Sequence, residues 1–192
     1  MVEEDPVSRR KRIRLRYYDY RRTGLYFVTI CTHDRRSTLG MIRDGRVTLS
    51  PLGKLTEICW RSIPEHSPHV ELDLHVVMPN HVHAVIVIDS KANPSESKRN
   101  PGELRAGSLG AVVGPFKAAV TRAARAEEIV GSDPVWQRGF WEHIVRGPEA
   151  LKRIQRYIVE NPSRWPYDSE NRNRRGGDPF DVWIAEQGVL PR

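Results

Sequence analysis

The sequence predicts an α+β domain: one antiparallel sheet with helices on one face, plus a C-terminal helix. Three observations carry that expectation. Short β-branched and aromatic runs recur along the chain, two longer stretches have helical apolar spacing, and Pro/Gly/Asn turn signals separate them. Read in order, the main elements spell βαββαβ, the ferredoxin-like arrangement.

Leu25–Thr32 (LYFVTICT) reads as the first strand. Leu39–Leu49 contains Asp44-Gly45 between short apolar runs, the signal of a small hairpin inserted after that strand. Ser50-Pro51 opens a helix running to about Pro64, with Ser50 as N-cap and Leu52, Leu55, Ile58 and Cys59 on one face. Val70–Met78 and His81–Ile88 are strands joined by the tight Pro79-Asn80 turn. Residues 90–107 are polar and turn-rich, a surface connection. Leu109–Glu128 is the second helix and Trp136–Val145 the last strand. Gly147-Pro148 starts a third helix, Glu149–Glu160, which Asn161-Pro162 should terminate. The expected organisation is a basic arm (1–23), one domain (24–165) and a tail (166–192) in which Trp183 docks the segment back.

Composition narrows the function classes. The chain has 192 residues with 31 Lys+Arg against 24 Asp+Glu, a formal charge of +7. Two cysteines build no disulfide framework; Cys31 and Cys59 read as buried thiols. No stretch approaches the ~20 apolar residues of a membrane span, and the charged N-terminus is no secretory signal. The expectation is a cytoplasmic, nucleoid-associated protein with no membrane contact. Much of the charge sits in residues 9–22, RRKRIRLRYYDYRR, with eight Arg/Lys, one acid and three tyrosines. Guanidinium groups grip phosphates and aromatic rings stack on unpaired bases, so Arg9, Arg10, Lys11, Arg12, Arg14, Arg16, Arg21 and Arg22 are candidate DNA contacts. The plainer reading is a solvated basic arm. Lys117, Arg122 and Arg125 on the second helix are further phosphate candidates, against the ordinary alternative of a charged helix surface. Arg172, Arg174 and Arg175 form another basic cluster.

His81-Val82-His83 opens the most apolar strand. Side chains alternate across a strand, so both histidines project from one face and can chelate one cation. They can equally be half-exposed polar residues at a strand entrance. In the third helix Leu151, Ile154 and Ile158 make the apolar stripe, while Tyr157 and Asn161 lie one turn apart beside it, at the sheet's edge. Tyr157 is then either a phenol near a cation or an amphipathic core-edge residue. His143 reads as structural before catalytic, His66, His69 and His75 as structural or surface, and Trp136, Trp141 and Trp165 as core.

MPNHVH followed by a tyrosine in RYIVENP resembles the single-tyrosine HUH transposases, and more narrowly the REP-associated tyrosine transposases. YDYRRTGLYFVTICT, LGAVVGPFKAAVTR, WQRGFWEHIVR and YIVENPSRW extend the resemblance over much of the chain. It implies that His81 and His83 bind a divalent cation, Mg²⁺ or Mn²⁺, with Asn161 completing the site. It further implies that Tyr157 attacks a phosphodiester, leaving a 5′-phosphotyrosine and a free 3′-OH, on single-stranded or hairpin DNA. No small-molecule cofactor is implied, and relatives act as monomers or homodimers. Two alternatives stand beside it: a metal-dependent phosphodiesterase that activates water, and a domesticated, non-enzymatic nucleic-acid-binding protein.

Overall fold

A computed structural model describes residues 19–92 and 107–187. Its main sheet has four strands: β1 (Gly24–Cys31), β4 (Val70–Val77), β5 (His81–Ile88) and β6 (Trp141–Val145), in the order β4-β5-β1-β6. Every neighbouring pair is antiparallel. This is the expected βαββαβ topology, with the hairpin β2 (Gly40–Arg43) and β3 (Arg46–Leu49) as a separate two-stranded sheet. Asp44 and Gly45 take φ of 49° and 70°, the left-handed pair that a two-residue hairpin turn demands.

The helices are α1 (Pro51–Arg61), the single turn α2 (Ile63–His66), α3 (Leu109–Ala126), α4 (Pro148–Arg164) and α5 (Pro179–Gln187). Ser50 caps α1, its side chain accepting from the Gly53 N–H at 3.0 Å, and Ser108 caps α3 through the Ala111 N–H at 3.3 Å. Hydroxyl capping satisfies donors that a helix start otherwise leaves without partners.

Strand alternation divides the interior in two. Tyr26, Val28 and Ile30 of β1 and Val82, Ala84, Ile86 and Ile88 of β5 face α1 and α3, meeting Leu52, Trp60, Val113, Phe116 and Val120. Phe27 and Val85 point the other way, against Ile154, Tyr157 and Ile158 of α4 and Phe180 and Ile184 of α5. The central strands are covered on both sides, which is why they read as continuous apolar runs rather than alternating ones. Helices α1 and α3 hold one face, and the tyrosine helix holds the other.

Three boundaries differ from the sequence expectation. The last strand begins at Trp141, not Trp136; Trp136 makes only an isolated bridge to Thr32. The Lys117 ammonium donates to the carbonyls of Gln137 (2.6 Å) and Gly139 (2.8 Å), so these groups are occupied outside any ladder. The third helix runs through Pro162 to Arg164. Proline removes only its own N–H, and burial of Ile158 and Asn161 on either side of the last turn holds the helix past the break signal. Finally, α1 stops at Arg61 and the chain restarts as α2, because Pro64 has no N–H to extend the α1 ladder. Residues 93–106, most of the expected surface connection, lie outside the described residues.

Candidate active site

The Met78-Pro79-Asn80 turn starts β5 so that His81 and His83 emerge beneath the sheet, on the α4 side. Both are fully buried, with ring centroids 4.2 Å apart. Each ring is held from its Nδ1 side. His83 Nδ1 lies 3.0 Å from Thr29 Oγ1, its cross-strand partner in the β1–β5 register. His81 donates from Nδ1 to the Asn80 side-chain carbonyl at 2.8 Å. That bond fixes the ring and leaves His81 Nε2 on the side of Asp168.

Helix α4 brings Tyr157 and Asn161 to the same space, since residues four apart share a helix face. The Tyr157 hydroxyl donates to Asp168 Oδ2 at 3.2 Å and lies 3.4 Å from His83 Nε2. Asn161 Nδ2 donates to the same Asp168 oxygen at 2.7 Å. Asp168 reaches in from the segment after α4, where its Oδ1 accepts the Glu170 N–H at 2.7 Å. Its Oδ2 stands 3.9 Å from His81 Nε2 and 3.8 Å from His83 Nε2. Burial opposes ionisation of this carboxyl, but the imidazoles of His81 and His83 and the Asn161 amide outweigh it and hold Asp168 far below the usual carboxylate range.

Tyr157 is 2% exposed, so it sits well inside the sheet's edge. Phe180 of α5 stacks on its ring at 3.7 Å and 5°, and Phe27 meets it edge-on at 6.3 Å. The 3₁₀ turn 165–167 lays Trp165 against His81, ring to ring at 6.1 Å.

His81, His83 and Asp168 each offer a ligand atom within 4.8 Å of the others. Asn161 Oδ1 is buried without a hydrogen-bond partner among the described residues, an acceptor that a cation could use. Two imidazole nitrogens, a carboxylate and an amide oxygen form a donor set that fits a divalent ion.

Asp168 had no signal in the sequence. It lies seven residues beyond Asn161, outside any helical or strand period, and only the turn after α4 brings it back. Glu170 arrives by the same route, pairing with Arg35 at 2.8 Å and accepting from Cys31 Sγ at 3.4 Å. Phe180 was likewise unmarked, while Trp183 docks the tail as expected, packed against the α4-side core with Arg153 over its ring at 4.5 Å.

The remaining candidates fall elsewhere. Arg21 pairs with Asp19 at 2.8 Å and Arg22 is exposed; Arg9, Arg10, Lys11, Arg12, Arg14 and Arg16 lie outside the described residues. Lys117, Arg122 and Arg125 line a hollow of about 510 Å³ on the side of α3, across the sheet from Tyr157. His143 is buried on β6, and burial, reinforced by Arg146, pushes its imidazole down to about 4. Among the described residues no helix is long and apolar enough to cross a membrane.

A βαββαβ sheet carrying a histidine pair on one strand, with a tyrosine helix beneath it, defines a protein of the transposase fold. No family model matches the chain. An uncharacterised protein of Haemophilus influenzae is 37% identical over 172 residues, covering 84% of this chain and 93% of that protein, and the chain belongs to the same family as it. A second Haemophilus influenzae protein, described as a candidate REP-associated tyrosine transposase, is 22% identical over 172 residues, covering 81% of this chain and 84% of the other. The solved structure of a REP-associated tyrosine transposase bound to a REP hairpin shares the fold, with a TM-score of 0.55 at 22% identity over 77% of this chain and 72% of that one. The resemblance to REP-associated tyrosine transposases is present in both sequence and fold.

Proposed function

We propose that the chain is a metal-dependent strand transferase that cuts and rejoins single-stranded or hairpin DNA through a covalent bond to Tyr157. The observation that carries this reading is the Tyr157 hydroxyl, held 3.2 Å from Asp168 and 3.4 Å from His83 in one buried cluster with His81. A buried phenol needs one hydrogen-bond partner; this one lies between a carboxylate and an imidazole that can both ligate a cation.

His81, His83 and Asp168 would hold the cation, Mg²⁺ or Mn²⁺, with Asn161 as a further oxygen donor. Bound there, it supplies Lewis-acid stabilisation of charge growing on the scissile phosphate. The chain's own groups do the rest. The Tyr157 O–H donates to Asp168 Oδ2, which orients the hydroxyl and turns its lone pairs away from the carboxylate; the phenol proton leaves as the oxygen attacks and is matched by the one the 3′ oxygen takes up. A new O–P bond forms at Tyr157, the P–O3′ bond breaks, and the departing 3′ oxygen takes up a proton. The phosphodiester energy is kept in the phosphotyrosine, so a second 3′-OH can reverse the step without ATP. A phenol with an ordinary pKa of about 10 requires this assistance at neutral pH. Because Phe180 covers the ring, the Tyr157 oxygen meets a phosphate only when α5 gives way.

The family resemblance and the hairpin carried by the related transposase support DNA as the substrate. The test is incubation of the full chain with labelled single-stranded hairpins and Mn²⁺, followed by a denaturing gel. Wild type forms a denaturation-resistant protein–DNA species and Tyr157→Phe forms none. Cleavage without an adduct, undiminished in Tyr157→Phe, favours water as the nucleophile and contradicts the reading.

A further inference from the structure

Unpaired DNA that reaches Tyr157 must run along a surface beside that residue. Helices α4 and α5 form a groove of about 750 Å³ whose floor includes Tyr157 and Phe180. Five cations line it, Arg146, Lys152, Arg153, Arg156 and Arg164, against the acids Glu149 and Glu160.

Three of these cations are engaged. Lys152 pairs with Glu149 at 3.1 Å, Arg164 with Asp178 at 2.6 Å, and Arg146 donates to the Gln187 carbonyl at 3.2 Å. Arg153 and Arg156 have no ion-pair partner among the described residues, and both are exposed. They lie three apart on α4, immediately before Tyr157, so they project along one side of the helix. Arg153 rests over the Trp183 indole, 4.5 Å from the ring centroid. A phosphate-binding guanidinium and an aromatic plane thus stand together at the edge of the groove. That pairing is how non-specific single-strand sites work: cations follow the backbone while rings receive bases of any sequence.

The basic hollow on α3 is poorly placed for this task. Its Lys117 is committed to the carbonyls of Gln137 and Gly139, Arg125 donates to the Ser132 carbonyl, and the whole hollow lies beyond the sheet from Tyr157. Of the two basic hollows, the α4/α5 groove is the one that includes Tyr157 among its lining residues.

We propose that this groove is the track for the unpaired strand flanking the scissile phosphate, with Arg153 and Arg156 as its phosphate-holding residues and Trp183 as its stacking plane. The inference rests on Tyr157 being the nucleophile, but it is read out by binding alone.

Anisotropy of labelled oligo(dT), about 12 nucleotides long and within the span such sites occupy, is measured against the full chain in EDTA, where no cleavage intrudes. A blunt duplex of the same length is the comparison. Arg153→Ala/Arg156→Ala is expected to weaken oligo(dT) binding about tenfold. It should also make the log–log salt dependence shallower by about 1.4, two phosphates at ~0.7 each. Duplex binding should change little. Arg153→Lys/Arg156→Lys, which keeps charge, should recover most of the affinity and shows that the alanine variant's loss is not misfolding. Unchanged oligo(dT) binding in the alanine variant overturns the proposal, as does an equal loss on the duplex. Failure of the chemistry is separable: a wild type that forms no tyrosine adduct yet loses oligo(dT) binding on double substitution refutes the nucleophile and keeps the groove. An intact adduct with unaltered binding does the reverse.

Discussion

The two faces of one sheet are built on opposite terms. The face under α1 and α3 is nearly all hydrocarbon: Val28, Ile30, Val82, Ala84 and Ile86 meet Val113, Phe116 and Val120 without a charge among them. The face under α4 and α5 is small, aromatic and ionic, with Phe27, Tyr157 and Phe180 packed around His81, His83, Asn161 and Asp168. Burying imidazoles and a carboxylate together costs free energy that apolar packing does not. The molecule accepts that cost on one face because the other supplies the stability. Strand β5 shows the division residue by residue, since Val82 and Ala84 serve the core while His81 and His83, interleaved with them, serve the site.

Substitutions separate the two roles. On the apolar face, Phe116→Ala should destabilise the fold by about 3–5 kcal/mol, read as a fall in the urea midpoint. Phe180→Ala on the site face should cost less globally, because α5 has only Phe180 and Ile184 buried and can open locally. It should also expose Tyr157 to tetranitromethane, which nitrates accessible phenols. Equal global losses at the two positions would show that the faces share one cooperative load.

Metal binding sharpens the contrast next. With Mn²⁺ at 100 times its Kd, wild type should gain about 2.7 kcal/mol of stability by mass action. His81→Ala/His83→Ala should gain none, and thermal melts with and without the ion measure this directly. A metal-dependent shift that survives in the double variant would place the ion elsewhere.

The smallest effect concerns pH. His143 is held down to about 4 by burial and the neighbouring Arg146, below the ordinary histidine value of about 6.5. The unfolded chain therefore binds a proton that the folded one refuses between these values, and stability is lost as pH falls from about 6.5 to 4. The loss should reach about 2 kcal/mol after allowance for solvent screening. His143→Gln should flatten that part of the urea-midpoint profile; an unchanged slope would assign it to another group.

Local signals made the fold legible. The order of elements along the chain followed from strand-like runs and helical stretches, Asp44-Gly45 took the turn its chemistry requires, and the interleaving of His81 and His83 with apolar residues placed both on one face. Tyr157 and Asn161 were legible as neighbours because helical spacing is rigid. Their burial was not, since the Leu151, Ile154 and Ile158 stripe left them at its margin and only the return of residues 165–187 closes over them. Asp168 was invisible for the same reason: a carboxylate in a turn has no period. Lys117 shows the converse, a cation whose charge suggested phosphate but whose reach is spent on two backbone carbonyls.

The central claim is that Tyr157 becomes covalently joined to DNA. Its most direct measurement is mass spectrometry of the protease-digested adduct formed with a single-stranded hairpin and Mn²⁺. The account predicts a nucleotide mass on the peptide containing Tyr157, absent when His81 and His83 are both alanine. A nucleotide on any other residue, or cleaved DNA with no modified peptide, would contradict it.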